Sequence, residues 1–321
     1  MMDPTVLFLG GAGRSGSTLL ERMLGQLPDV VAVGEIVHLF SRGLIDDDDC
    51  GCGSPFSACP FWTKVGDNAF GAWPAGADAR RWLDDQGAVD RNRNLANLLT
   101  GKPERFRSEL DRHTSRLSSL YRAISEVSGA RVIVDSSKHV STALVLHRTP
   151  GIDLHVLHLV RDSRGVAHSW TKEVARPETR DESATMPRYH PASAAAWWDW
   201  FNVGFDVVRR VGVATTTLRY EDLLADPRGR IAAVAEAVGV PSDDAALSFL
   251  GDGTVQLDAD HSVAGNPMRF QTGTLHLRRD DAWREALDSS SRRVVTAVTA
   301  PLLARYGYLS RPTTPRSRTT S

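Results

Sequence analysis

From Gly10 to Thr18 the chain reads Gly-Gly-Ala-Gly-Arg-Ser-Gly-Ser-Thr, a glycine-rich run set between an apolar segment and one with helical spacing. The backbone amides of such a turn, with the N-terminus of the following helix, make a site for an anion. Against the nucleotide-triphosphate loop G-x-x-x-x-G-K-[ST], Gly11, Gly16 and Thr18 fit, but Ser17 stands where that loop has its lysine. The basic residue is instead Arg14, inside the turn, where it can face the bond beyond a single bound phosphate. Gly13, Arg14, Ser15, Gly16, Ser17, Thr18 and Leu19 are the expected contacts. The chemistry that suits them is group transfer from a donor with one 5′-phosphate and a reactive group attached to it.

A second constellation is Leu157-His-Leu-Val-Arg-Asp-Ser-Arg-Gly-Val-Ala-His-Ser169, a buried-strand pattern ending in Arg161, then a turn and a helix carrying Ser169. A guanidinium fork and a hydroxyl from these two places converge on one dianion. The other role open to Arg161 is a pair with Asp162 in a helix cap. Val134-Asp-Ser-Ser-Lys-His139 brings Lys138 and His139 to the end of another strand, where ligands collect in such sheets. Glu35, in Val31-Ala-Val-Gly-Glu35, lies where the chain returns from the first helix towards the turn. In a partly closed cleft beside phosphates its pKa is expected to rise through desolvation and like charge, which suits a general base. Pairing with Arg14 is its other possible role.

The run Gly13-Arg-Ser-Gly-Ser-Thr-Leu-Leu20 resembles the 5′-phosphosulfate-binding loop of sulfotransferases that use 3′-phosphoadenosine 5′-phosphosulfate (PAPS). Arginine at position 14 is similar to the tyrosylprotein and many carbohydrate members, whereas cytosolic members have lysine. The resemblance implies that Arg161 and Ser169 hold the 3′-phosphate, and that Lys138 contacts the bridging oxygen or sulfuryl group. It implies Glu35 as the base, at the same distance past the loop arginine as in the tyrosylprotein enzymes. His139 is the rival, one residue out of register with the histidine of cytosolic members. Ser137 is implied as a further donor contact. Gly265-Asn-Pro-Met-Arg-Phe270 resembles the late loop that closes over the donor, with Arg269 as a second 3′-phosphate contact. The implied activity is in-line sulfuryl transfer from PAPS, as co-substrate, to a hydroxyl of a carbohydrate, glycolipid, phenol or tyrosine, with no metal required. A P-loop kinase or NTPase, and a non-catalytic protein that binds adenosine 3′,5′-bisphosphate, are the alternatives.

These residues need a scaffold. Val6–Gly10, Arg131–Asp135, Leu154–Val160 and Ala214–Tyr220 read as buried strands, and Thr18–Leu27, Ala192–Val211, Asp226–Val238 and Ser289–Tyr306 as helices. Strands alternating with helices predict an α/β, three-layer P-loop-type fold with a central parallel sheet. Residues 1–310 are expected to form a single domain. Residues 41–63 read as an irregular insertion holding the cysteines, with Asp46–Asp49 as a solvated acidic loop. Residues 171–191 read as a lid loop and 311–321 as a disordered tail.

Composition bounds the partners. A formal net charge of −1 argues against a nucleic-acid-binding protein, so anion binding must be local. Only Lys64, Lys102, Lys138 and Lys172 are lysines among 38 basic residues, so the cationic chemistry is arginine chemistry, suited to forked contacts with phosphate and sulfate. The short apolar run Val6–Leu9 lacks the pattern of a signal peptide, and no segment approaches a membrane span. A cytoplasmic protein is expected, acting as a monomer or homodimer. Cys50, Cys52 and Cys59 are expected to be packed thiols or to form one disulfide; a closed zinc site lacks a fourth ligand nearby, with His38 the only close candidate. Trp197, Trp198 and Trp200 follow a helical pattern with Phe201 and Phe205, a core more than an acceptor platform.

Overall fold

The structure, a computed structural model, describes residues 3–179 and 183–309. Five parallel strands form the central sheet: β1 (Thr5–Gly10), β2 (Val30–Gly34), β3 (Val132–Lys138), β4 (Asp153–Val160) and β5 (Ala214–Arg219). Their spatial order is β2-β3-β1-β4-β5. Every residue of β1 is buried, as a strand covered by helices on both faces requires.

Side chains alternate across the sheet. Val6 and Phe8 share one core with Ile133, Val156 and residues of the helices Glu104–Ser128, Val140–His147 and Pro191–Arg210, among them Leu120, Val145 and Phe205. Leu7 and Leu9 face the opposite core, with Val134, Leu157 and the helices Ser17–Leu24 and Pro227–Ala237 through Leu20 and Ile231. Three layers result, and the fold is the α/β P-loop type. Among the elements beyond the expected set are the short edge strand β2 and the 25-residue helix Glu104–Ser128.

The order of the strands sets the position of the site. β1 is central; Gly10 pairs with Lys138 of β3 on one side and His158 of β4 on the other. The carboxyl ends of the three strands therefore meet where the direction of winding reverses, the place at which such sheets bind ligands. Gly11 makes the exit from β1 possible: its φ is 140°, and a Cβ there would sit 2.3 Å from the Leu159 carbonyl oxygen.

A small antiparallel pair, β6 (Thr254–Leu257) with β7 (Gly273–His276), is joined by an irregular strap, residues 258–272. Buried Arg22 holds it, donating through Nη2 to the Asp258 carbonyl at 2.7 Å and through Nη1 to that of Met268 at 3.0 Å. The strap also pairs with the sheet edge: Val263 N–H donates to Val33 O at 2.9 Å, and Glu35 N–H to Val263 O at 2.8 Å.

Asp46–Asp49 is not simply a solvated loop. Asp48 pairs with Arg176 at 3.2 Å, Asp47 accepts from Ser57 N–H at 2.8 Å, and Asp49 N–H donates to Glu178 O at 3.1 Å. The Asp48 and Asp49 contacts tie the insertion to residues 171–191, where Arg176 N–H donates to Ala184 O and Met186 N–H to Val174 O. The segment 311–321 lies outside the described residues. Among the described residues no helix is long and apolar enough to cross a membrane.

Candidate active site

A cleft of about 740 Å³ opens at the carboxyl ends of β1, β3 and β4, lined by residues of the glycine turn together with Glu35, Lys138, His139, Arg161 and Ser169. Gly13, Arg14, Gly16, Ser17, Thr18 and Leu19 all face it; Ser15 is buried beside them. Arg14 adopts φ 69° and lays its guanidinium 5.0 Å from the centre of the Trp170 ring. Its Nε and Nη2, and Ser15 Oγ, are buried and meet no hydrogen-bond partner among the described residues. Burial pushes the Arg14 pKa down, with Glu35 acting weakly against it. A half-buried cation with two buried, unpartnered N–H groups at a helix N-terminus fits an anionic ligand.

Arg161 follows β4 and reaches the same cleft. Its Nη1 donates to the Arg14 carbonyl at 3.0 Å, its Nη2 to Asp280 Oδ2 at 2.9 Å, and the guanidinium lies 4.9 Å from the Tyr220 ring centre. Its acidic partner is thus Asp280; Asp162 instead caps the helix Ser163–Thr171 and pairs with Arg164. Ser169 lines the cleft from that helix. Arg278, exposed in Leu277-Arg-Arg279, lines it too.

On the opposite side Lys138, with φ 67° at the end of β3, donates through Nζ to Glu35 Oε1. His38 Nε2 lies 3.5 Å from Glu35 Oε2. Burial favours a protonated Glu35, but Lys138 and His38 outweigh it and hold the pKa down at about 2. The expected rise is therefore reversed: burial is the largest single effect, but the charges of Lys138, His38 and Arg42 and the Lys138 hydrogen bond together exceed it. Burial lowers His38 to about 4 and also lowers His139, so both are neutral imidazoles near pH 7. The His139 ring is 6.2 Å from both His38 and Phe201, inside the cleft.

Ser137 and Arg269 do not line this cleft. Ser137 Oγ donates to Asp135 Oδ1 at 2.5 Å and accepts from Val37 N–H at 2.9 Å. Arg269, 1% exposed, donates to the carbonyls of Ser262 at 2.6 Å and Asp49 at 2.7 Å. Trp198 belongs to the core and donates to Arg161 O at 2.9 Å, whereas Trp197 is 52% exposed and lines the cleft with Phe201 and Tyr189. The cysteines lie outside the cleft. All three are free thiols with no disulfide, and the histidine beside them is His261, because His38 is turned to Glu35.

Sequence reading missed His38, Arg42, Trp197 and Arg278 as lining residues. His38 carried a signal, three residues beyond Glu35 on one short turn. Arg278 carried only its place in a basic run.

The sequence profile of the sulfotransferase domain matches residues 4–264. Among solved structures, the sulfotransferase domain from the Synechococcus PCC 7002 olefin synthase is 22% identical, with a TM-score of 0.47, 92% of this chain covered and 95% of that one. A sulfotransferase from Alicyclobacillus acidocaldarius is 18% identical, with a TM-score of 0.44 and 96% of each chain covered. Sulfotransferase STF9 from Mycobacterium avium is 11% identical, with a TM-score of 0.46, 95% of this chain covered and 77% of that one. No curated protein sequence matches. With its profile spanning the glycine turn, Glu35, Lys138 and Arg161, the chain belongs to the sulfotransferase domain family.

Proposed function

We propose that the chain transfers a sulfuryl group from PAPS to an acceptor hydroxyl by in-line displacement. The observation that carries this reading is the link between Arg14 and Arg161, two guanidinium groups on one cleft joined through the Arg14 carbonyl. Two cationic stations, one on a glycine turn and one past the neighbouring strand, suit a ligand with phosphate at both ends of an adenosine. Residues 13–19 would hold the 5′-phosphosulfate, and Arg161, Ser169 and Arg278 the 3′-phosphate. The bound donor supplies an electrophilic sulfur attached to a phosphate leaving group.

The chain's own residues handle the proton. Glu35 is ionised at neutral pH and takes the acceptor's hydroxyl proton. Neutralising that carboxylate dissolves its pair with Lys138, which frees the ammonium to offset charge on the leaving side together with Arg14. Coupling the two events compensates for the low basicity of Glu35. His139 is the second candidate for the base, neutral and in the same cleft. Since Arg14 and Lys138 provide the charge stabilisation, the transfer step uses no metal ion. Trp197, Phe201 and Tyr189 offer an aromatic wall to a phenol, tyrosine or sugar face.

Calorimetry tests the reading: adenosine 3′,5′-bisphosphate should bind without magnesium and in preference to ATP. The reverse preference points to a phosphoryl-transfer enzyme. Tight nucleotide binding with no labelled sulfate passed to a broad panel of hydroxyl acceptors points to a sensor.

A further inference from the structure

The cysteine stretch lies outside the cleft and gathers three thiols and a histidine in one place. Cys50 and Cys52 lie on a tight turn in which Cys50 N–H donates to Ser54 O, and Gly53 N–H to Cys50 O, each at 2.8 Å. Cys59 directly precedes the helix Pro60–Phe70. His261 arrives from the strap, about two hundred residues later in sequence. The four ligand atoms all lie within 4.8 Å of one another.

Their separations match coordination. Cys52 Sγ is 3.7 Å from Cys59 Sγ, and His261 Nδ1 is 3.4 Å from Cys59 Sγ and 3.8 Å from Cys50 Sγ. A tetrahedral zinc with bonds of about 2.3 Å to sulfur and about 2.0 Å to nitrogen sets sulfurs about 3.8 Å apart and sulfur about 3.5 Å from nitrogen. A disulfide needs sulfurs at about 2.05 Å. An S–H···N hydrogen bond accounts for one thiol beside the ring nitrogen, but not for Cys50 and Cys59 both converging on Nδ1 with Cys52 3.7 Å from Cys59.

The surroundings hold the ligands in place. The His261 ring stacks on Phe61, centroids 4.7 Å apart and planes 7° from parallel, and its carbonyl accepts from Trp62 Nε1 at 2.8 Å. Gly51 N–H donates to Ser262 O at 2.9 Å. A side chain at Gly51 would collide with Asp260 Oδ1, 2.3 Å from its Cβ. Arg269 binds the carbonyls of Asp49 and Ser262, the neighbours of Cys50 and His261. One divalent ion with three thiolates carries a net charge of −1, and the buried guanidinium between its two arms offsets it.

We propose that Cys50, Cys52, Cys59 and His261 bind one Zn²⁺ in a closed, tetrahedral structural site. Three soft thiolates and an imidazole with no open position select zinc over magnesium or calcium, and the thiol protons pass to solvent as the ion binds. None of the four residues lines the catalytic cleft, so the ion takes no part in transfer. Its role is to pin the strap onto the insertion. Two residues past His261, Val263 pairs with Val33 and Glu35, so the same clamp fixes the backbone that carries Glu35.

Metal analysis of the full chain, made with zinc in the medium and purified under reductant without chelator, should give about one zinc per chain. In Cys52→Ser, the least buried of the cysteines, retention should fall several-fold. Because that variant may also misfold, a second measurement uses the wild-type chain: cobalt(II) added after chelation should give sulfur-to-cobalt charge-transfer absorption and the intense visible bands of a tetrahedral site. The three thiols should resist alkylation until the zinc is removed. A chain that holds no zinc, gives no thiolate-to-cobalt absorption, and has three freely alkylated thiols or a Cys–Cys disulfide overturns the proposal. None of these readouts depends on sulfuryl transfer, so the metal site and the proposed activity can fail separately.

Discussion

Arg161 donates through Nη1 to the backbone carbonyl of Arg14 at 3.0 Å, which fixes the residue after β4 to the middle of the glycine turn. Its second arm is held by Asp280 at 2.9 Å, and Asp280 is also 3.7 Å from Lys172. One arm therefore builds the site, while the other is neutralised by a carboxylate that any incoming dianion must displace. Arg161 and Lys172 hold the Asp280 carboxyl below its usual pKa despite partial burial, so this competitor is charged across the working range.

Arg161→Ala should weaken binding of adenosine 3′,5′-bisphosphate about 100-fold, roughly 2.7 kcal/mol, the scale of a charge-assisted fork. Asp280→Asn should act in the opposite direction and tighten binding roughly threefold, since the competing charge is gone. Calorimetry on the two variants checks both signs. Unchanged affinity in Arg161→Ala would take the residue out of the nucleotide site.

Glu35→Gln should lower turnover by about 10³-fold, the range for loss of a general base, while nucleotide affinity stays within roughly twofold. Because the free carboxylate titrates at about 2, kcat/KM should show no acid limb from Glu35 near neutrality. An acid limb below the ordinary histidine range that disappears in His139→Asn would transfer the base role to His139.

The parts of this site legible in sequence were those whose local pattern and structural role coincide. The glycine turn, Lys138 at the end of β3 and Arg161 at the end of β4 each close a buried apolar strand, so strand periodicity alone places them at one sheet edge. Glu35 could be located but not its charge state, because the ion pair with Lys138 joins residues 103 apart. The same limit hid His261: a ligand two hundred positions from the cysteines appears only when the strap folds back along β2. Arg269 shows the converse limit, for its motif was visible but its burial was not. β2 is five residues on the sheet edge, and its half-buried start blunts the strand pattern.

Stability should fall as pH rises from about 6.5 to about 8, above the range in which the buried His38, His113 and His158, lowered from 6.5 to about 4, act in the opposite direction. Glu21 is fully buried, and burial raises its pKa from 4.5 to about 8 against hydrogen bonds from Ser136 at 2.6 Å and Gly34 N–H. In that window the unfolded chain has released the proton and the folded chain keeps it, so the Glu21 contribution declines by up to about 1.4 kcal/mol per pH unit. Glu21→Gln keeps an acceptor for Gly34 N–H, turns Ser136 Oγ from donor to acceptor of the new amide, and does not titrate. Denaturant unfolding at a series of pH values should show a flatter profile for the variant and a relative gain near pH 8. Equal slopes would mean that Glu21 is ionised in the folded state.

Arg269 and Arg278 should separate stability from affinity. The Arg269 guanidinium bridges the Ser262 and Asp49 carbonyls; its removal takes the donor from Asp49 O while Ser262 O keeps Gly51 N–H, a loss of about 2 kcal/mol. Arg278 is exposed at the cleft, so Arg278→Ala should change stability by no more than about 0.5 kcal/mol. Affinity for adenosine 3′,5′-bisphosphate should shift the other way: about fivefold weaker in Arg278→Ala, near 1 kcal/mol for one exposed charge contact, and little altered in folded Arg269→Ala. The two carbonyls that Arg269 joins belong to the insertion and the strap, so its loss should also loosen the Cys50–His261 cluster and speed alkylation of the thiols. Weaker nucleotide binding in Arg269→Ala at unchanged stability would restore it as a phosphate contact and leave the bridge between insertion and strap without a structural role.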